Sequence, residues 1–250
     1  MESNTIILAS CFFVIALIYA SVGFGGGSSY LALLAQPVFL LLPEEIRPIA
    51  LCCNIVVVTS GSIIFYKEGK IVWKEVWPFL VFSVPMSYLG GFWKLGYHSF
   101  FMILGITLIV AALFLWIQPE PRKSQNGTSS LFLNATLGGG IGLLSGLVSI
   151  GGGIFLSPVL HLIRWSEPKK ISALASLFIL VNSISGLTGQ FMRGMPSLKP
   201  FLIIPLLAAV FLGGQIGSRL GASKFNPIYI KRITSILILI AGIFILKEHW

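Results

Sequence analysis

The chain has 250 residues, of which 56% are apolar and only 10% are charged, against about 25% charged in ordinary soluble domains. This composition excludes a water-soluble globular protein, because a soluble core cannot bury so many apolar residues, and it predicts an integral membrane protein. The formal net charge is +9, but the basic residues lie between apolar segments and form no stripe. We therefore interpret them as loop residues that stay in the cytoplasm, and not as a nucleic-acid surface.

Ten apolar segments follow one another and predict an all-α polytopic membrane protein. They cover residues 6–22, 29–42, 49–66, 77–93, 100–117, 131–148, 154–165, 171–191, 201–220 and 228–246. A full crossing needs about 20 residues, so segments 29–42 and 154–165 are too short to cross alone. Each of these two follows a glycine cluster and contains a proline, so we interpret each as a half-helix.

Two glycine clusters, at 23–27 and 151–153, interrupt the apolar sequence. Consecutive glycines weaken a helix, because each costs about 1 kcal/mol relative to alanine. Irregular backbone inside a bilayer is tolerated only where protein or a water-filled cavity satisfies its hydrogen bonds. The N-terminus of a half-helix carries partial positive charge and favours anions. The clusters therefore predict an anion site in the middle of the membrane, and close helix packing is the alternative role for these glycines.

The segments divide into two halves of five, residues 1–118 and 131–250, joined by a polar linker at 119–130. The triple glycine recurs 126 residues later, and Gly90-Gly91 recurs as Gly213-Gly214 after 123 residues, which indicates a duplication. If the two segments on either side of each glycine cluster enter and leave the membrane on the same side, twelve basic residues fall on one side of the membrane. The other side holds five, namely Arg47, Lys94, Arg193, Lys199 and Lys247.

This division obeys the positive-inside rule, with the linker in the cytoplasm and both termini outside. It also gives each half an odd number of crossings, so the two five-segment repeats with their glycine-broken half-helix hairpins are predicted to be inverted, as in many secondary transporters.

Polar residues within the apolar segments supply the other candidate ligands, because hydroxyl and amide groups can donate to anion oxygens. No Asp or Glu lies inside the ten segments, so we do not expect a buried carboxylate to carry protons. His161 is expected to be interfacial or hydrogen-bonded. No metal site, cofactor or catalytic group is predicted. The predicted substrate ligands are Gly25, Gly26, Gly27, Ser28, Asn54, Ser149, Gly151, Gly152, Gly153, Ser176, Asn182 and Gln190.

The run Gly23-Phe24-Gly25-Gly26-Gly27, with its counterpart Ser149-Ile150-Gly151-Gly152-Gly153-Ile154, resembles the glycine turns of the sulfite exporter TauE/SafE family of membrane permeases. The resemblance extends to Pro158 and to Gly213-Gly214 with Gly217. It implies a multi-pass protein of the bacterial inner membrane that transports sulfite, a sulfonate or a related anion, and it fixes neither substrate nor direction. Cys52-Cys53-Asn54 departs from the small polar stretch often found there, so side-chain contacts are not carried over.

We therefore predict a secondary permease for a small anion and not an enzyme. Its expected partners are the anion and the lipid bilayer, with no nucleic acid, and self-association is left open. The alternative is a non-transporting, membrane-embedded partner or assembly subunit in which the glycines serve helix packing alone.

Overall fold

The structure, a computed structural model, describes residues 2–117, 130–194, 198–221 and 227–249. All regular structure in these ranges is helical, which confirms the predicted all-α class. Each of the ten predicted segments corresponds to one α-helix. Most of the predicted linker, including Arg122 and Lys123, lies outside the described residues, as does Lys224. The helices are α1 Glu2–Ser21, α2 Gly27–Leu34, α3 Pro43–Lys67, α4 Trp73–Phe92, α5 Tyr97–Ile117, α6 Leu131–Val148, α7 Gly153–Leu162, α8 Pro168–Arg193, α9 Pro200–Gly221 and α10 Pro227–His249.

Helix length separates the crossing helices from the short ones. Within the described residues, α3, α5, α6, α8 and α9 are each long and apolar enough to cross a membrane. Helix α2 has 8 residues and α7 has 10. At 1.5 Å per residue they extend about 12 and 15 Å, roughly half of a hydrocarbon core that is about 30 Å thick. The chain is therefore a multi-pass membrane protein with two short helices, each of which begins inside a glycine cluster.

Helix α3 begins at Pro43, six residues before the apolar segment predicted at 49–66, so the helix carries two carboxylates that the apolar segment does not contain. Proline suits the first position of a helix, and Glu44 and Glu45 favour the first turn because its N-terminus carries partial positive charge. Glu45 also accepts a hydrogen bond of 3.0 Å from the backbone N–H of Leu42. The earlier start carries Arg47 out of the predicted loop and into the helix.

The two halves interlock. The most extensive interfaces pair α1 with α9, α4 with α6 and α5 with α10, so each joins one half to the other. Each helix of the first half has a counterpart in the second half: α1 corresponds to α6, α3 to α8 and α4 to α9. When counterparts are exchanged, the α1–α9 pair becomes the α6–α4 pair, and the α3–α9 pair becomes the α8–α4 pair. The same exchange relates the contacts of α2 with α10 to those of α7 with α5. The contact pattern thus carries an approximate two-fold symmetry.

Glycines allow the interlocking helices to approach backbone to backbone. A Cβ added to Gly138, Gly142 or Gly146 of α6 would overlap the backbone of α4 at Phe79, Ser83 or Ser87. The related pair behaves alike, since a Cβ on Gly213 or Gly217 of α9 would overlap the Phe13 or Leu17 carbonyl oxygen of α1. Small residues at such crossings are typical of membrane helix packing.

Ion pairs fix the relative direction of the two longest helices. Arg193, at the end of α8, lies 3.7 Å from Glu44, at the start of α3. Lys94, just after α4, lies 3.6 Å from the same carboxylate, and Lys199, just before α9, lies 2.8 Å from Glu45. Helices α3 and α8, which hold corresponding places in the two halves, therefore run antiparallel, and these three cations share one end of the bundle.

A reporter enzyme fused after Trp250 tests the predicted orientation of this bundle. We expect activity from a reporter that works only outside the cytoplasm and none from one that works only inside, because the charge count places the C-terminus outside. A fusion within the polar linker at Ser124 is the matched control and should give the opposite pattern. Cytoplasmic activity at Trp250 would contradict the predicted orientation.

Candidate functional site

The two glycine breaks hold backbone conformations that other residues rarely adopt. The φ angles of Gly26 and Gly152, the residues that precede α2 and α7, are +87° and +80°. Gly151 lies in the same left-handed region at +89°, and Ser149 reaches +61°. Residues with a Cβ atom are strongly disfavoured in this region, which explains why glycine occupies three of these four positions.

Asn54 lies between the two breaks. It is fully buried, near the middle of α3, and its Nδ2 donates a hydrogen bond of 3.0 Å to the Ile150 carbonyl of the second break. A Cβ added to Gly25 or Gly27 would overlap the Asn54 amide, and one added to Gly27 would lie 2.8 Å from that same Ile150 oxygen. The breaks therefore meet around one amide, and the structure brings together Gly25, Gly27, Asn54 and Gly151, four of the predicted ligands.

Unpartnered polar atoms cluster around these breaks. Seven buried side-chain oxygens accept or donate no hydrogen bond within the described part of the chain, and four of them belong to residues that lie beside a break glycine. These four are the Tyr30 hydroxyl, with Tyr30 beside Gly26, Asn54 Oδ1 beside Gly25, Ser145 Oγ, with Ser145 beside Gly152, and Ser183 Oγ beside Gly151. Burial of a polar group without a partner costs about 1–3 kcal/mol, so such a cluster indicates a place that binds a polar ligand.

Both short helices also begin without a side-chain cap, because glycine holds the position before each. The first N–H groups of a helix have no acceptor within the helix. In α2 these are the N–H groups of Gly27 and the buried Ser28, and in α7 they belong to Gly153 and Ile154. Such groups, combined with the helix dipole, suit an anion.

A second polar cluster involves Ser149, Gln190 and Arg47, which is only 2% exposed. Ser149 Oγ accepts hydrogen bonds from Gln190 Nε2 at 3.0 Å and from Arg47 Nε at 3.2 Å. The Arg47 Nη2 group donates to the carbonyls of Gly146 at 3.1 Å and Gly90 at 3.3 Å. The guanidinium lies over the ring of Phe100, 5.8 Å from its centroid. Helices α3, α4, α6 and α8 thus converge on one buried cation.

Hydropathy alone does not identify Arg47, because it places this residue in the loop before the apolar segment at 49–66. The available signal was Pro43-Glu44-Glu45, a pattern typical of a helix start. A helix that begins at Pro43 carries Arg47 into its second turn.

Two predicted ligands lie away from the breaks. Ser176 Oγ hydrogen-bonds Ser62 Oγ at 3.0 Å and donates to the Val58 carbonyl at 3.3 Å, so it joins α8 to α3. Asn182 Nδ2 donates to Ser83 Oγ at 3.1 Å and to the Phe178 carbonyl at 2.8 Å, so it joins α8 to α4. Its Oδ1 has no partner among the described residues. His161 is buried on α7.

Comparison with known proteins adds a family match. The family described as "Sulfite exporter TauE/SafE" matches residues 8–245. A "Probable membrane transporter protein" of Sinorhizobium fredii is 34% identical over 257 residues, which cover the whole of both chains. A second "Probable membrane transporter protein", from Methanocaldococcus jannaschii, is 25% identical and covers 94% of this chain and 92% of its own length. No solved structure matches.

Proposed function

Because the chain belongs to the sulfite exporter TauE/SafE family, whose match spans residues 8–245, we propose that it is a secondary permease for a small sulfur-containing or organic anion such as sulfite or a sulfonate. The membrane transporter class follows from the family and its relatives. The anionic substrate is our proposal. The observation that carries it is the meeting of two uncapped half-helix starts at the buried Asn54 amide.

An anion can be held there without a full positive charge. The N–H groups that begin α2 and α7 supply donors, and the unpartnered hydroxyls of Tyr30, Ser145 and Ser183 supply further ones. Each donor gains strength in a water-poor interior, where the effective dielectric constant is low. An amide and hydroxyls also cost less to bury than charged groups while the site is empty.

The architecture supports transport by alternating access. Transporters with inverted repeats bind substrate near the middle of the membrane, where broken helices of the two repeats meet. Helices α3 and α8 hold corresponding places in the halves and run antiparallel, which is what an inverted repeat requires. We propose that rocking of one repeat against the other exposes the Asn54 region to each side in turn.

Replacement of Asn54 by leucine should reduce sulfite uptake into proteoliposomes by at least about tenfold. The leucine keeps the number of side-chain heavy atoms but loses the amide that bonds the Ile150 carbonyl and the acceptor beside Gly25. A lost buried hydrogen bond that leaves its partner unsatisfied is worth about 1–3 kcal/mol, or roughly ten- to hundredfold. Initial rates of labelled sulfite uptake measure the effect.

Ile179 provides the matched control. Ile179 is the counterpart of Asn54 in the other half, because the two residues lie equally far along the chain from the prolines that begin their helices, Pro168 in α8 and Pro43 in α3. A Cβ on Gly151 would lie 2.8 Å from the Ile179 side chain. The Ile179→Leu variant should transport at close to the wild-type rate. Equal uptake by wild type and Asn54→Leu would contradict a central anion site. Wild-type protein that inserts into liposomes but moves neither sulfite nor sulfonates would instead favour the assembly-subunit alternative.

A further inference from the structure

The Arg47 guanidinium carries a buried charge without a carboxylate partner. Among the described residues no carboxylate oxygen lies within 4 Å of it, because Glu44 pairs with Lys94 and Arg193 while Glu45 pairs with Lys199. A buried, unpaired charge is strongly disfavoured, so side chains of this kind are nearly always paired or bind a ligand. The groups in direct contact with this charge are two carbonyls, one hydroxyl and an aromatic ring.

Donors remain available in this cluster. The two hydrogens of Arg47 Nη1 bond to none of the described residues, since the three hydrogen bonds of the guanidinium come from Nε and Nη2. Ser149 Oγ accepts from both Arg47 and Gln190, which leaves its own hydrogen free to donate, and Gln190 Nε2 keeps a second hydrogen. Three side chains, one on α3, one on α8 and one directly after α6, thus offer unused donors around one positive charge.

The related position in the other half shows that the fold does not require these donors. Counted from the prolines that begin the two helices, Pro43 in α3 and Pro168 in α8, Ser172 corresponds to Arg47 and Phe65 corresponds to Gln190. Gly23 corresponds to Ser149, and a Cβ on it would lie 3.1 Å from Ser172 and 3.5 Å from Phe65. The same three positions therefore meet at the opposite end of the bundle, without a charge and without an amide.

We propose that Arg47, Ser149 and Gln190 form an oxyanion-binding site that adjoins the second glycine break at Ser149 and lies toward the end of the bundle where α3 begins. This inference rests on the proposed function and names the class of anion. A planar guanidinium fork recognises groups with two or more oxygens, such as sulfite, a sulfonate or a carboxylate, better than a halide.

The test measures binding and transport separately. Binding is followed as the rise in melting temperature of the detergent-solubilised protein with sulfite, methanesulfonate, acetate or chloride. Transport is followed as KM and maximal rate for labelled sulfite in proteoliposomes. The variants are Arg47→Lys, which keeps the charge but loses the fork, Arg47→Gln, Ser149→Ala and Gln190→Leu. Lys74→Gln, which removes one exposed charge from the opposite end, is the matched control.

We expect Arg47→Lys and Arg47→Gln to raise the KM for sulfite about ten- to hundredfold, the range for a lost charged hydrogen bond. They should also abolish the sulfite-induced thermal shift, while Lys74→Gln stays at wild-type values. Ser149→Ala and Gln190→Leu should raise KM by smaller factors, and they report on the site even if the Arg47 variants do not fold. Wild-type KM and thermal shift in the Arg47 variants, or in both Ser149→Ala and Gln190→Leu, would overturn the inference, as would a chloride shift equal to that of sulfite.

The two proposals fail in different ways. If the wild type transports sulfite and the Arg47 variants have wild-type KM and thermal shift, the proposed function stands and only the Arg47 site is overturned. Wild-type protein that is stabilised by oxyanions in an Arg47-dependent manner, but carries none of them across the bilayer, supports the site and overturns the permease.

Discussion

The Gly152→Val variant is expected to insert into the membrane and to transport at less than about a tenth of the wild-type rate. Gly152 has a φ of +80°, a region that costs a side chain with a Cβ about 1–2 kcal/mol. A Cβ there would lie 2.8 Å from the Phe178 ring, 3.1 Å from Ile141 and 3.2 Å from Ser145. The backbone must move to relieve these contacts, and with it the N–H groups that begin α7.

Gly26→Val should have a similar effect in the other half, because Gly26 has a φ of +87° and its Cβ would lie 2.8 Å from the Tyr30 ring. Proteoliposome uptake measures the loss, and the amount of protein in the membrane fraction separates it from failed insertion. The control is Gly140→Val on α6, where a Cβ meets no atom within 4 Å. Normal uptake by both Gly26→Val and Gly152→Val would contradict a role for the breaks in transport.

Gly138→Leu should markedly lower the thermal stability of the purified protein, whereas Gly140→Leu should leave it unchanged or raise it. The two glycines lie two residues apart on α6, yet a Cβ on Gly138 overlaps the Phe79 carbonyl of α4 while Gly140 faces open space. Overpacking of a close interface costs about 1–3 kcal/mol or more, and loss of glycine from an exposed helix position gains about 1 kcal/mol.

Melting temperatures in detergent, followed as the fraction of protein that stays monodisperse after heating, compare the two variants directly. The difference in melting temperature between the two variants matters more than either value alone, because both variants add the same side chain to the same helix. Equal melting temperatures for Gly138→Leu and Gly140→Leu would show that α4 and α6 do not pack as closely as the structure indicates.

Local sequence signals indicated most of the helices and both breaks. The triple glycines at 25–27 and 151–153 interrupt the helical sequence as predicted, whereas the one at 138–140 lies within α6 and serves close packing. Apolar segments of spanning length form helices in lipid, so the ten segments could be predicted. The prediction failed where a helix begins in polar sequence. Hydropathy alone started α3 after Pro48, and this choice removed Arg47 from consideration.

The direction of each buried polar side chain could not be predicted from the sequence. Successive residues of a helix point about 100° apart, so neighbours reach different partners. Asn182 was a predicted ligand but bonds Ser83 of α4, while the adjacent Ser183 lies beside Gly151 of the break. Ser149 and Gln190 were both predicted as ligands, yet their contact joins residues far apart in the chain and depends on how α6 and α8 pack. Such pairings follow from tertiary contacts, which a single sequence does not reveal.

The interlocking of the halves has a consequence for biogenesis. The principal neighbours of α1, α4 and α5 are α9, α6 and α10, respectively. The ribosome therefore synthesises each of these first-half helices before its partner exists. Until the second half is made, the faces of α1 and α4 that receive the glycines of α9 and α6 lack their native neighbours. The halves can therefore assemble only once the C-terminal half is made, and truncation at the linker leaves α1, α4 and α5 without their principal neighbours.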